Sequence, residues 1–129
     1  MEVLIAIGIL ITAAATIPQL FAAATRANVE AGAITWATTL AAQKLEELEA
    51  QSSLDATGDE SVDYLDSSGA LDAPGLPARA YKRRWWIEPL SWAPEGTLVL
   101  SVAVSRYREG DAVVPDSARL VTLRTRTVP

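Results

Sequence analysis

The stretch EVLIAIGILITAAATIPQLFAAAT, residues 2–25, decides the fold of this 129-residue chain. No charged residue occurs between Glu2 and Arg26, which leaves an uncharged and mostly aliphatic run. A helix needs about 20 such residues to cross the hydrocarbon core of a bilayer. The alternative is a cleavable signal peptide, which would have a basic start and an apolar core of about 7–15 residues. Because neither feature is present, we expect residues 1–25 to form the transmembrane part of a retained helix.

The helical pattern continues beyond the apolar run. Two neighbouring series of apolar residues recur every three or four positions: Val29, Ala33, Trp36 and Leu40, and Ile34, Ala37, Ala41, Leu45 and Leu48. Lys44, three residues before Glu47, gives this part a polar side. We expect the helix to run from Glu2 to about Gln51, with residues 26–54 as its amphipathic part. The apolar stripe of this part must be covered by the rest of the chain.

Pro18 lies inside the apolar run. Proline removes a backbone donor and costs about 3 kcal/mol in a helix interior. Two interpretations stay open: a tolerated kink, as in other membrane helices, or a built-in site of local unwinding. Pro18 is therefore a candidate helix kink.

The charges after the helix are separated along the chain. Residues 55–78 hold six acids and no base, whereas residues 79–129 hold nine bases and five acids, within a net charge of -5. We predict that residues 55–78 form an acidic connecting loop. Several carboxylates could hold calcium, but the loop lacks the alternating ligand order of an EF-hand. A solvated loop, or one that meets the basic sheet of its own or a neighbouring copy, is the other interpretation.

Three segments in residues 79–129 alternate as strands do. In YKRRWWIE, Tyr81, Arg83, Trp85 and Ile87 share one face, and Lys82, Arg84, Trp86 and Glu88 share the other. In TLVLSVAVSRYR, the inward residues are Leu98, Leu100, Val102 and Val104. In ARLVTLRTRT, we predict Val121 and Leu123 inward, Leu120 unassigned, and Arg124 and Arg126 outward. Short connections favour an antiparallel sheet of three or slightly more strands, so the predicted fold is α+β, a long N-terminal helix packed on this sheet.

One weak candidate for a ligand-binding face combines bases with aromatic rings, as single-stranded nucleic-acid grooves do. Its members are Lys82, Arg83, Arg84, Trp85, Trp86, Arg124 and Arg126. The alternative is an exposed strand face whose Trp residues pack in the core or at its rim. The chain has no Cys and no His, which removes Cys nucleophiles, Ser-His-Asp triads and the usual zinc sites. We therefore expect no enzyme activity, no cofactor and no metal site.

The run EVLIAIGILI, the IPQ within the helix, the extension AAQKLEELEA and the small C-terminal sheet together resemble the type IV pilin superfamily. The pair AQKLEELEA and YKRRWWIEP is most similar to minor pseudopilins of the I class in type II secretion systems. In that family a prepilin peptidase cuts after a Gly, the new N-terminus is methylated, and a Glu near it is important for assembly. Glu2 matches this Glu, whereas the leader, the Gly and the Phe-Thr-Leu have no match before it. We thus expect the natural chain to start upstream of Met1. Pro18 lies one residue nearer the Glu than in the major pilins.

The resemblance implies a structural subunit of a type II secretion pseudopilus, at or near its tip. Its implied partners are other pseudopilins or pilins through helix packing, the bacterial inner membrane before assembly, and an exported substrate. The globular domain would lie in the periplasm after a single membrane pass. A lone carboxylate is costly in hydrocarbon, so Glu2 should stay at the lipid surface or pair with the free amine of an adjacent chain. The alternative function is a minor pilin of a type IV pilus or DNA-uptake system with a basic ligand-binding sheet, although nucleic acid is not an expected partner.

Overall fold

The computed structural model describes residues 1–71, 79–110 and 113–126. Within them it has one α-helix and four β-strands: α1 (Glu2–Ala50), β1 (Ser61–Leu65), β2 (Tyr81–Pro89), β3 (Thr97–Arg106) and β4 (Ala118–Thr125). The strands form an antiparallel sheet in the order β1-β2-β3-β4, so each strand pairs with its neighbour in sequence. This layout of one long N-terminal helix and an antiparallel sheet confirms the predicted α+β fold class.

The chain divides into two compact units, residues 1–33 and residues 34–129. The first unit is the N-terminal part of α1, and residues 1–32 are exposed throughout. By length and composition α1 could span a membrane, since an 18-residue window in it has a mean hydropathy of 2.1 and no buried residue. The second unit contains the rest of α1 and the whole sheet. Its hydrophobic core is formed by residues of the helix together with residues of the sheet.

The helix residues of the second unit pack on the sheet along a narrow stripe. Its buried members are Ala37, Leu40, Ala41, Lys44 and Leu48. Val29 and Ile34, which we predicted to belong to the apolar stripe, are 63% and 48% exposed. Lys44 was predicted on the polar side, yet it is 8% exposed, and its ammonium nitrogen lies over the Trp85 ring, 4.1 Å from the centroid. Lys44 Nζ also forms an ion pair with Glu47 Oε1 at 3.0 Å. Lys44 thus contacts both the Trp85 ring and an exposed carboxylate.

Strand β1 corrects the prediction for residues 55–78. We predicted a connecting loop, but Ser61–Leu65 pairs antiparallel with β2, in register from Ser61 opposite Trp85 to Leu65 opposite Tyr81. Leu65 is fully buried in the core. Residues 72–78 of the predicted loop lie outside the described residues.

Strand β3 follows the prediction on its inward face, but Ser101, Ala103 and Ser105 on its other face are buried too. Strand β4 reverses its prediction. Leu98, Leu100, Val102 and Val104 are all buried in the core, as predicted. In β4, Val121 and Leu123 are 56% and 59% exposed, and Leu120 packs against the core instead. The register explains this phase, because Leu120 lies opposite the buried Val102 of β3.

A tight turn follows β1 and packs on α1. The carboxylate of Asp66 accepts hydrogen bonds from the backbone N–H of Ser68 at 2.8 Å, the Ser68 hydroxyl at 2.6 Å and the N–H of Ala70 at 3.0 Å. Gly69 has a φ of 86°. A Cβ at Gly69 would lie 2.7 Å from Leu40 Cδ2 and 3.1 Å from Trp36 Cζ2. The turn therefore needs glycine both for its conformation and for its contact with the helix.

Candidate functional site

The exposed apolar segment of α1 is the first candidate site. Glu2 is the first residue of the helix, and it is exposed, as are all the apolar side chains of residues 3–25. The Thr hydroxyls in this run donate to carbonyls of the same helix, for example Thr12 to Gly8 O at 2.8 Å and Thr25 to Phe21 O at 2.9 Å. Such internal bonds satisfy the hydroxyl donors without water. In this segment the carboxylate of Glu2 is thus the main group that is incompatible with an apolar environment.

Pro18 lies within the continuous helix α1. Because proline has no N–H, it cannot donate to the carbonyl of Ala14, one turn earlier. The hydroxyl of Thr16 donates to the neighbouring carbonyl of Ala13 at 3.0 Å. The role of Pro18 as a kink or as a site of unwinding stays a prediction.

The predicted ligand-binding face divides between the two sides of the sheet. Arg83 and Trp85 lie on the side that packs against α1. Arg83 is 6% exposed, donates to both carboxylate oxygens of Asp63 at 2.7 and 3.0 Å, and donates to the Leu40 carbonyl at 3.2 Å. Arg83 and Trp85 are therefore structural, because their side chains are engaged within the core.

The other three members of β2 in this prediction, Lys82, Arg84 and Trp86, lie on the outer side of the sheet. Arg84 is held by Asp116 at 2.7 Å and by Glu60 at 3.4 Å. The guanidinium of Arg119 lies over the Trp86 ring, 4.9 Å from its centroid. Sequence reasoning missed Arg119, because the predicted phase of β4 put Val121 and Leu123, which share its face, inward.

Arg124 was predicted to point outward, and the structure corrects this. Its guanidinium donates to the carbonyl of Leu48 at 3.1 Å and to that of Gln51 at 2.6 Å. The last turn of α1 has no basic residue of its own, so Arg124 supplies the cation that the carboxyl end of a helix favours. Arg126 makes no side-chain hydrogen bond or ion pair within the described part of the chain.

A basic groove of about 470 Å³ lies beside β2 and the end of β3. We define it by six of its lining residues: Tyr64, Lys82, Arg84, Arg106, Tyr107 and Arg108. Tyr64, Lys82 and Arg84 belong to the outer side of the sheet, since their strand neighbours Leu65 and Arg83 face α1. Sequence reasoning found Lys82 and Arg84 but missed Arg106, the last residue of β3, and Arg108, which follows it.

No group of three Asp or Glu side chains among the described residues is placed to hold a metal ion. Three carboxylates of the acidic segment make local contacts. Asp63 pairs with Arg83, Glu60 pairs with Arg84, and Asp66 closes its turn.

In comparisons with known proteins, no family model, no curated protein and no solved structure matches the chain.

Proposed function

We propose that the chain is a minor pseudopilin, a structural subunit of a type II secretion pseudopilus located at or near its tip. One observation carries the proposal: an exposed, uncharged helical segment, residues 3–25, which follows the carboxylate of Glu2, belongs to the same helix that packs on an antiparallel sheet. The resemblance of EVLIAIGILI, IPQ and AAQKLEELEA to the pilin superfamily supports the same function.

The subunit works by association and has no turnover or cofactor. Before assembly, the apolar segment lies in the inner membrane and the sheet domain lies in the periplasm. During assembly the apolar segments of several subunits pack together, because each exposes apolar side chains on all sides. A carboxylate in hydrocarbon costs about 2.5–3.5 kcal/mol, so Glu2 gains by pairing with the free amine of a neighbouring subunit.

The second candidate, a minor pilin with a DNA-binding sheet, has less support. Of its five predicted cations, Arg83 is buried against α1 and Arg124 binds the end of the helix. These two side chains cannot reach a duplex on the outer side of the sheet without breaking the fold. Lys82 and Arg84 remain on that side, and Arg84 is already paired with two carboxylates.

The test is a pair of full-length variants, Glu2→Leu and Glu2→Gln, expressed together with the pseudopilins encoded beside the gene. We expect both variants to resist alkaline extraction from membranes, because the apolar segment is intact. We expect both to lose co-purification and cross-linking with the partner subunits, because the charge that pairs with the amine is gone.

The matched control is Glu30→Gln, which removes another exposed carboxylate from the same unit. It should leave both insertion and co-purification unchanged. Normal association of the Glu2 variants with their partners would contradict the proposed assembly role.

A further inference from the structure

The lining of the basic groove includes cations that form no ion pair among the residues that the structure describes. Arg84 is paired with Asp116 and Glu60, but Lys82, Arg106 and Arg108 form no ion pair within the described residues. Arg106 and Arg108 are exposed, and Lys82 is half-buried. Lys82 lies on the outer side of the sheet and Arg108 follows the end of β3, whereas Arg106 lies opposite Tyr81 on the side that packs against α1. An anionic ligand in the groove would offset the charges of Lys82 and Arg108.

The arrangement favours a ligand with several negative charges on one short body. Each exposed cation contributes little by itself, because solvent and salt screen it. A monovalent anion in this open groove would therefore not be retained. A ligand that meets Lys82 and Arg108 together gains from both contacts for one loss of translational freedom.

The aromatic rings at the groove disfavour single-stranded nucleic acid. The Tyr64 ring has the guanidinium of Arg79 at 4.1 Å from its centroid and meets Tyr107 edge to face at 5.5 Å. The nearby Trp86 ring is covered by Arg119. Base stacking needs open ring faces, and these rings are already in contact with cations or with each other.

The charges around the groove disfavour any long polyanion. Glu60 and Asp116 lie at Arg84, and Glu109 lies between Arg108 and Gly110 in the chain. The whole chain carries a net charge of -5. A long nucleic acid would leave the groove and meet this acidic surface, whereas a short acidic segment would not.

The chain itself has a surface with several exposed carboxylates. Glu46 and Glu49 at the end of α1, and Asp55 and Asp59 after it, are exposed and form no ion pair within the described residues. We infer that the basic groove binds an acidic peptide segment of a neighbouring subunit, one as rich in exposed carboxylates as residues 46–59. This inference rests on the proposed filament function and names a contact within it.

The experiment measures binding of a labelled peptide with the sequence of residues 45–60 to the full-length chain in detergent micelles, by fluorescence anisotropy. We expect binding at low ionic strength that weakens as salt rises, because the Debye length falls from about 30 Å at 0.01 M to about 10 Å at 0.1 M. Lys82→Glu and Arg108→Glu should each weaken it roughly fivefold, the scale of reversing one solvent-screened charge pair. Arg126→Glu, outside the groove, is the matched control and should leave the affinity unchanged.

Three results would overturn the inference: no binding of the acidic peptide, equal binding of a peptide with Gln and Asn in place of Glu and Asp, or an equal loss in Arg126→Glu. Tighter binding of a single-stranded oligonucleotide with the same number of charges would also overturn it, in favour of the nucleic-acid interpretation. The assay needs no filament and keeps Glu2, so its failure is distinct from a failure of the proposed assembly role.

Discussion

Arg83 and Asp63 lie directly opposite each other on β2 and β1, and their side chains are joined by two hydrogen bonds, Nη2 to Oδ2 at 2.7 Å and Nε to Oδ1 at 3.0 Å. The Arg83 side chain is 7% exposed and that of Asp63 is 16% exposed. The third donor, Nη1, reaches the carbonyl of Leu40 in α1. One guanidinium therefore ties the edge strand, the neighbouring strand and the helix together.

Asp63→Ala should destabilise the sheet domain by about 3 kcal/mol, because removing one partner leaves a buried charge without compensation. The double variant Asp63→Leu with Arg83→Met should recover most of this loss, since it removes both charges and keeps apolar volume. Urea unfolding of the full-length chain in micelles, followed by Trp fluorescence, measures both free energies of unfolding.

The control for this pair is Glu60→Ala, which breaks the more exposed contact with Arg84 at 3.4 Å. It should cost less than about 1 kcal/mol. If Asp63→Ala lowered the free energy of unfolding no more than Glu60→Ala does, the buried pair would not hold β1 to the sheet.

The Arg83 contact also shows what the sequence can and cannot predict. Alternation correctly placed Arg83 on the same face as Trp85 and Ile87, and the apolar pattern of β3 correctly gave its buried side. The partner of Arg83 was hidden, because Asp63 lies in a five-residue strand within an acidic segment that reads as a loop. A short edge strand gains its stability from pairing, which local composition does not reveal.

The prediction for strand β4 was wrong for a different reason. Its sequence places apolar residues in both phases, Leu120 in one and Val121 with Leu123 in the other. The register with β3 decides between them, and register depends on contacts that are distant in sequence. For the same reason the groove could be found only in part, because the pairing of β1 with β2 is what places Tyr64 opposite Lys82.

Gly69→Ala should destabilise the sheet domain by about 2–3 kcal/mol. The substitution adds a Cβ at a φ of 86° and places it 2.7 Å from Leu40 Cδ2, so conformational strain and overpacking both contribute. Gly58→Ala separates the two effects, because Gly58 has a φ of 67° but an open surrounding. It should cost only about 1 kcal/mol by thermal unfolding.

Gly96→Ala completes this series, since Gly96 has neither a positive φ nor a close neighbour. It should leave the free energy of unfolding nearly unchanged. A loss for Gly69→Ala no larger than that for Gly58→Ala would show that the turn does not press on Leu40.

Asp66 should make the stability of the turn depend on pH. The hydrogen bond from the Ser68 hydroxyl, followed by that from the Ala70 N–H, lowers the pKa of Asp66 below its ordinary value. Because the folded-state pKa is the lower one, the stabilisation is fully present above the unfolded-state pKa of about 3.9 and is lost as pH falls through the folded-state pKa.

The measurement compares the free energy of unfolding of the wild type and Asp66→Asn from neutral pH down to acid. The advantage of the wild type should be present at neutral pH and should shrink in acid. Ser68→Ala removes the largest cause of the lowered pKa and keeps the backbone donors, so it should reduce this pH dependence without abolishing it. A wild-type advantage that did not change with pH would contradict the role of the ionised carboxylate.

Arg124→Ala should destabilise the end of α1 by about 1 kcal/mol, because the carbonyls of Leu48 and Gln51 lose a charged donor and the helix loses the cation at its carboxyl end. Amide hydrogen exchange in the last turns of α1 should become faster, whereas exchange in β2 and β3 should change little. Arg126→Ala is the matched control, since it removes an arginine two residues away that makes no side-chain contact of this kind within the described residues. Equal exchange in the two variants would mean that Arg124 does not hold the helix end. If only Arg124→Ala accelerates exchange there, β4 is fastened to α1 by this side chain, and the residue predicted to contact a ligand instead secures the helix of the sheet domain.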